Sequence, residues 1–383
     1  MRHGGWEEWG GWGPCSRRCY WPGEDSSGVR SRRRSCTRPT PDGGEWCPGE
    51  EEEKGRCELE QCGKSLHPSL PSLPSLGDTY PLLTGGWRAG RLSSAELYDA
   101  QCNLPSLPLA LSGHTTFITA NEGIDRIVSC GGNMGQYTHV CLTLDSSGWK
   151  AGPVGDLTQE RMWAAVVTTL QGTYLLGGKG DLVGVTSDFL PRHATTFEAG
   201  PELPYKLESG CADGVSEQAF VVLGGQHSRT SIRQYSTSHG WSEEGIWPEL
   251  TTGRYAHGCA AYKRVSNTDY QFKKIIVAGG EFNDNGWTSL ASTEILDIAS
   301  KSLVPGPKMA SPRRYFQVVR VERDREEAVL ALGGTVGSST YLDAVEEFMV
   351  EEGEWVGRKG MGEVRSEYAA VAVDASSLPC KIP

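Results

Sequence analysis

Tyr174-Leu175-Leu176-Gly177-Gly178 ends an apolar strand on a pair of glycines, and the pattern recurs five more times along the 383-residue chain. It stands at Pro81 to Gly86, Ile127 to Gly132, Val221 to Gly225, Ile275 to Gly280 and Val329 to Gly334. The second glycines are Gly86, Gly132, Gly178, Gly225, Gly280 and Gly334, so the steps are 46, 46, 47, 55 and 54 residues. That period belongs to a β-propeller rather than to a helical solenoid. A short apolar run ended by glycine reads as a strand buried on both faces, and the pair lets the backbone turn at positive φ.

Working outward, a strand of small residues precedes most of these runs, as in Trp163-Ala164-Ala165-Val166-Val167, His257-Gly258-Cys259-Ala260-Ala261 and Tyr368-Ala369-Ala370-Val371. Small side chains suit a strand crowded around a central axis. A variable loop follows the glycines, then a third strand such as Thr293-Glu294-Ile295-Leu296-Asp297 and an outer strand carrying Trp149, Trp241 or Trp355. Phe197 takes the outer aromatic place in the third unit, and Leu303 stands there in the fifth. Four strands in each of six units predict a radial array of small sheets. Diglycine, a Tyr or Leu before Asp, and a spaced Trp together resemble the kelch motif, over roughly 300 residues. The first unit lacks an inner strand, and the chain ends on one without a glycine strand, at 365–373. The spare strand is therefore expected to complete the first blade and close the ring, removing an open edge.

Net charge is −11 with pI near 5.3, which argues against general affinity for nucleic acid. No apolar run approaches the length of a membrane span. Twelve cysteines, half of them within residues 15–62, point to an oxidising compartment. Met1 leads directly into that cluster without the apolar segment of a secretory signal. The expectation is an exported protein whose true beginning lies upstream of this sequence.

Residues 6–62 carry Trp6, Trp9 and Trp12, then Arg30, Arg32 and Arg34 in alternation. Alternation puts the three arginines on one face of an extended strand. Opposite a Trp-rich segment, each guanidinium can lie over an indole, a contact contributing about 0.5 to 2 kcal/mol. So short a domain buries little core and needs disulfides, and spacing alone leaves every pairing of Cys15, Cys19, Cys36, Cys47, Cys57 and Cys62 open. Trp-x-x-Trp-x-x-Trp-x-x-Cys with Arg-x-Arg-x-Cys resembles a thrombospondin type 1 repeat. The resemblance implies bridges Cys15 to Cys57, Cys19 to Cys62 and Cys36 to Cys47, and C-mannosylation at Trp6 and Trp9. It departs from that family at Arg18, where O-fucosylation would need Ser or Thr before Cys19.

The predicted domains are 1–62, a Pro/Ser/Leu linker at 63–79, the propeller at 80–376 and a tail at 377–383. Pro68, Pro71 and Pro74 space the linker, which favours an extended tether. In the propeller, Cys130 and Cys141 are placed to face each other across a hairpin. Cys211 and Cys259 hold the same place in successive inner strands, and bridge only if their Cα atoms come within about 7 Å; buried thiols are the alternative. Joining Cys102 to Cys380 would latch the tail to the first blade.

Arg161, Arg254, Arg313 and Arg365 each lead into an inner strand, near one rim of the channel. Loops after the glycine pairs share that face and bring Trp87, Arg88, Arg91, Arg229 and Trp287. One reading is a basic pocket for an acidic peptide or anionic glycan, consistent with how kelch propellers hold partners. The other is that each arginine bonds loop carbonyls and braces the blades, as repetition in register would produce. Arg17, Arg18, Arg33 and Arg38 are candidates for glycosaminoglycan, although residues 1–62 hold 10 basic and 12 acidic side chains. His114 and His257 share an inner-strand place and read as blade packing. The expected whole is an all-β, secreted or matrix-associated binding protein without cofactor. It would meet glycan or matrix through the small domain and a protein through the propeller. The alternatives are a copper radical carbohydrate oxidase of galactose oxidase type, whose fold is kelch-like, and an intracellular kelch adaptor.

Overall fold

A computed structural model of the protein describes residues 5–12, 19, 20, 27–38, 47, 49–58, 60, 61, 78–100, 102, 104–121, 124–180, 184–264, 272–283, 287–323, 326–374 and 378. Two compact units divide the chain, Met1–Leu73 and Pro74–Pro383. Every regular element among the described residues is a strand, and no helix there is long and apolar enough to cross a membrane.

In the small unit, Ser27–Arg33 pairs antiparallel with Glu52–Glu58, and Gly5–Trp6 with Cys36–Arg38. The alternating arginines and the tryptophans interleave. Arg30 lies over Trp12, Arg32 between Trp12 and Trp9, and Arg34 between Trp9 and Trp6, at 4.3 to 5.1 Å. This column of cation-π contacts stands in for a hydrophobic core. Gly55, directly across from Arg30, admits the Trp12 ring where a Cβ would sit 2.6 Å from it. Cys36 and Cys47 are bonded. Cys57 is also disulfide-bonded. Its expected partner Cys15, the disulfide of Cys19 and Cys62, and the side chains of Arg17, Arg18 and Arg38 lie outside what is described.

The larger unit is a six-bladed β-propeller. Blades two, three and four run in simple order from inner to outer strand: Thr115–Asn121 to Gly148–Lys150, Ala165–Thr169 to Glu198–Ala199, and Cys211–Ser216 to Gly240–Trp241. Blades five and six, Gly258–Arg264 to Ser302–Gly306 and Gln317–Arg323 to Glu354–Arg358, each carry a small hairpin between their second and third strands. The blade-five hairpin lengthens the step from Gly280 to Gly334, while the step from Gly225 to Gly280 is lengthened by the longer first pair of strands of blade five, Gly258–Arg264 and Phe272–Ala278, and their connection. In blade one, Ala369–Asp374 pairs with Thr79–Trp87 from Ala369↔Thr84 to Asp374↔Thr79. The C-terminal strand thus closes the ring. Blade one has three strands among the described residues, with Arg91–Leu97 outermost, where four were expected.

Each glycine strand is buried on both faces, as in Leu82, Leu83, Val221, Val222, Ile275 and Ile276, none more than 1 % exposed. Both glycines of every pair have positive φ. At Gly280 a Cβ would lie 2.7 Å from the Tyr255 carbonyl and the His257 Cβ, so the turn and the close approach both demand glycine. Cys130 pairs directly with Cys141 and is bonded to it. Cys211 and Cys259 are bonded at a Cα separation of 6.0 Å, which staples blade four to blade five. Cys102 is disulfide-bonded; its expected partner Cys380 lies outside the described residues.

Candidate binding face at the propeller axis

The inner strands enclose a cavity of about 420 Å³ along the axis. Just before each inner strand stands one residue: Gly113, Trp163, Ser209, Ala256, Tyr315 and Glu367 in blades two to six and one. Their backbones form a closed cycle. The Gly113 amide donates to the Glu367 carbonyl (2.6 Å), Trp163 to Gly113 (2.8 Å), Ser209 to Trp163 (3.2 Å), Ala256 to Ser209 (2.7 Å), Tyr315 to Ala256 (2.9 Å) and Glu367 to Tyr315 (3.0 Å). All six have positive φ, between 50° and 64°. Five of them carry a Cβ, and each costs on the order of 1 kcal/mol for it.

That strain presents side chains at one mouth of the channel. Trp163 and Tyr315 are three places apart in a cycle of six, hence opposite, and their rings meet across the axis at 5.5 Å. Lys179 lies over the Trp163 ring at 5.3 Å and Arg314 over the Tyr315 ring at 5.4 Å. Glu367 stands at the same mouth, half-buried. Burial pushes its carboxyl up, against the pull of Trp163, Arg314, Arg91 and Ser112 toward the charged form. Burial likewise pushes the Tyr315 hydroxyl up.

A second circle surrounds the first. The residue before each axial one pairs with the residue after a glycine pair: Ser112 with Asn133, Met162 with Lys179, Tyr255 with Glu281, Arg314 with Thr335 and Ser366 with Trp87; Gln226 donates to Glu208 in the sixth case. Side chains then link the loops. Arg314 is ion-paired with Glu281, His227 Nε2 is hydrogen-bonded to Glu208 Oε2 at 3.3 Å, and Trp87 Nε1 donates to Tyr341 Oη at 3.1 Å. Arg91 donates to Asn133 Oδ1 at 2.6 Å and lies over Trp87.

The four in-register arginines are a correction to the expected basic pocket. Arg161, Arg254, Arg313 and Arg365 are at most 2 % exposed and are bonded within their own blades. Arg254 donates to the carbonyls of Gly279 (2.7 Å) and Ser292 (3.0 Å) and pairs with Glu294 at 2.7 Å. Arg161 does the same with Gly177, Thr186 and Asp188, Arg313 with Gly333, Ala344 and Glu346, and Arg365 with Gly85, Ser94 and Glu96. Each guanidinium ties the first glycine's carbonyl to the third strand of its own blade. Burial lowers the pKa of Arg161, Arg254 and Arg313, and the partner carboxylate raises it back.

The remaining expected face residues are spread among the loops. Arg88 is exposed, 3.5 Å from Glu363. Arg229 lies over Tyr255 and donates to the Gln226 carbonyl. Trp287 begins a hairpin strand paired with Asn283. In the small unit Arg33 is exposed and sits 3.4 Å from Glu52. His114 and His257 are buried in blades two and five, where burial lowers each to about 3. Among the described residues no group of three His, Cys, Asp or Glu is arranged to hold a metal.

No protein-family model matches the chain. Several curated proteins match a short region of it. Properdin of Mus musculus is 33% identical over 103 residues, 27% of this chain and 20% of properdin. SCO-spondin of Bos taurus is 48% identical over 60 residues, 15% of this chain and 1% of that protein. A disintegrin and metalloproteinase with thrombospondin motifs 15 of Homo sapiens is 43% identical over 63 residues, 16% of this chain and 6% of that protein. The chain therefore spans a fifth or less of the length of each of these relatives.

Proposed function

We propose that the chain is an extracellular binding protein that acts without chemistry. In this reading the small unit is a thrombospondin type 1 repeat that meets glycan or matrix, and the propeller, of kelch type, holds a protein partner on its axial face. The observation that carries it is the cycle of six axial residues. A purely structural ring would use glycine throughout, as blade two does at Gly113. Five blades instead hold a side chain at positive φ, and the largest, Trp163 and Tyr315, close the mouth. Relatives named for thrombospondin motifs support the assignment of the small unit. Every cysteine whose side chain is described is bonded, which suits an oxidising setting and leaves none of these as the thiol that a copper radical site would cross-link to tyrosine.

Adhesion of cells to surfaces coated with the full chain tests this reading. Trp163→Ala with Tyr315→Ala should weaken adhesion at least about tenfold, as loss of a central aromatic anchor does. Ile246→Ala, an exposed apolar side chain after the outer strand of blade four, should leave it unchanged. Equal adhesion by the double variant, with an unaltered melting transition, would overturn it.

A further inference from the structure

The axial face is not electrically uniform. Around blades four to six its inner circles hold Glu208, with His227 Nε2 at 3.3 Å, and Glu281, paired with Arg314. Around blades one to three stand Lys179, in the second circle, and Arg91, at the start of the third strand of blade one, neither of which is ion-paired to a carboxylate among the described residues. Arg91 spends one nitrogen on Asn133, while its buried Nε has no partner there. Lys179 is exposed and lies over the Trp163 ring. Between them the loop of blade two displays Met134, 38 % exposed. Glu367 is the one charged residue of the axial cycle.

From this arrangement we infer that the propeller's partner presents an acidic polypeptide segment to the arc of blades one to three. Its carboxylates would pair with Arg91 and Lys179, its apolar side chains would lie on Trp87 and Met134, and Glu367 would act as the resident carboxylate that limits affinity. The inference rests on reading the axial face as the binding surface. A polypeptide is favoured over a sulfated glycan because two cations without a carboxylate ion pair among the described residues lie beside apolar side chains, instead of forming a dense basic row. Opposite charge across such a rim sets specificity and on-rate.

The test is fluorescence anisotropy with the full chain at low salt, using a labelled Glu-Ser repeat peptide and a Lys-Ser repeat of equal length. The Glu-Ser peptide should bind and the Lys-Ser peptide should not. Arg91→Ala and Lys179→Ala should each weaken binding roughly 3- to 10-fold, and Glu367→Gln should tighten it by a similar factor. That opposite sign is something a merely structural Glu367 would not produce. Preference for the Lys-Ser peptide, with weakening by Glu367→Gln, would overturn the acidic partner while keeping the face. Binding of neither peptide would overturn the inference, and the adhesion of the Trp163 and Tyr315 variant then tells separately whether the face binds at all. Stronger competition by a heparin fragment than by unlabelled Glu-Ser peptide would replace polypeptide by glycan.

Discussion

Arg254→Leu is expected to cost about 3–5 kcal/mol of propeller stability, because it leaves Glu294 buried without its cation. Glu294 is 2 % exposed, and its other partners are Thr251 and Thr252, which cannot neutralise it. Blade two shows how the site can be rebuilt without charge, with Leu111 in the arginine's place and Leu142 in the carboxylate's. Blade four has Leu207 in the first place and Arg233, paired outward with Glu244, in the second. Arg254→Leu combined with Glu294→Leu should therefore recover at least half of the loss. Urea unfolding of the single and double variants measures both. A single variant as stable as the parent, or a double variant no better than the single, would show that these pairs are not braces.

Acid should weaken the propeller through its two buried histidines. His114 and His257 are held neutral, lowered to about 3 chiefly by burial, with Arg365 and Arg254 lowering them further. In the unfolded chain each titrates near 6.5. Between those values the unfolded state binds the proton that the folded state refuses, so stability falls as pH drops below about 6.5. At pH 5 each histidine accounts for about 2 kcal/mol. Asp213 and Glu367, pushed up by burial, act in the opposite sense at lower pH, so the comparison of variants isolates the histidines. Blade six carries Phe316 at the corresponding place, against the glycines as His257 is in blade five. His257→Phe should leave stability near pH 7.5 little changed and remove about half of the loss between pH 7 and pH 5. An identical pH slope in the variant would exclude His257 as a source.

The propeller was legible because its evidence is repetition. Six glycine pairs at nearly constant steps can hardly arise except from stacked units, and the missing inner strand of the first matched the spare one at the end. The hairpin of blade five was visible only as extra length between Gly280 and Gly334, and that of blade six, which follows the last glycine pair, left no mark on the period. The role of the four arginines needed one more comparison. Arginine and acid occur together in units one, three, five and six and are both missing from units two and four, which is what a brace predicts and a shared pocket does not. The axial residues escaped notice for a physical reason. Gly113, Trp163, Ser209, Ala256, Tyr315 and Glu367 share a backbone conformation but no side-chain chemistry, so no periodic pattern marks them. Their signal is a variable position set two residues after a repeated one. In the small unit the alternation of arginines against three spaced tryptophans was enough to order the stack, while the close approach of Gly55 to Trp12 depends on strand register.

The claim that underlies the rest is a chain built to bind outside the cell, with its cysteines closed. Its most direct test is a free-thiol count on protein purified natively from its source, by mass spectrometry after alkylation with and without reduction. No free thiol among the twelve cysteines, with hexose mass on Trp6 or Trp9, is the expected result. Several free thiols on unmodified tryptophans would contradict it, and would return the propeller to the reducing interior of the cell.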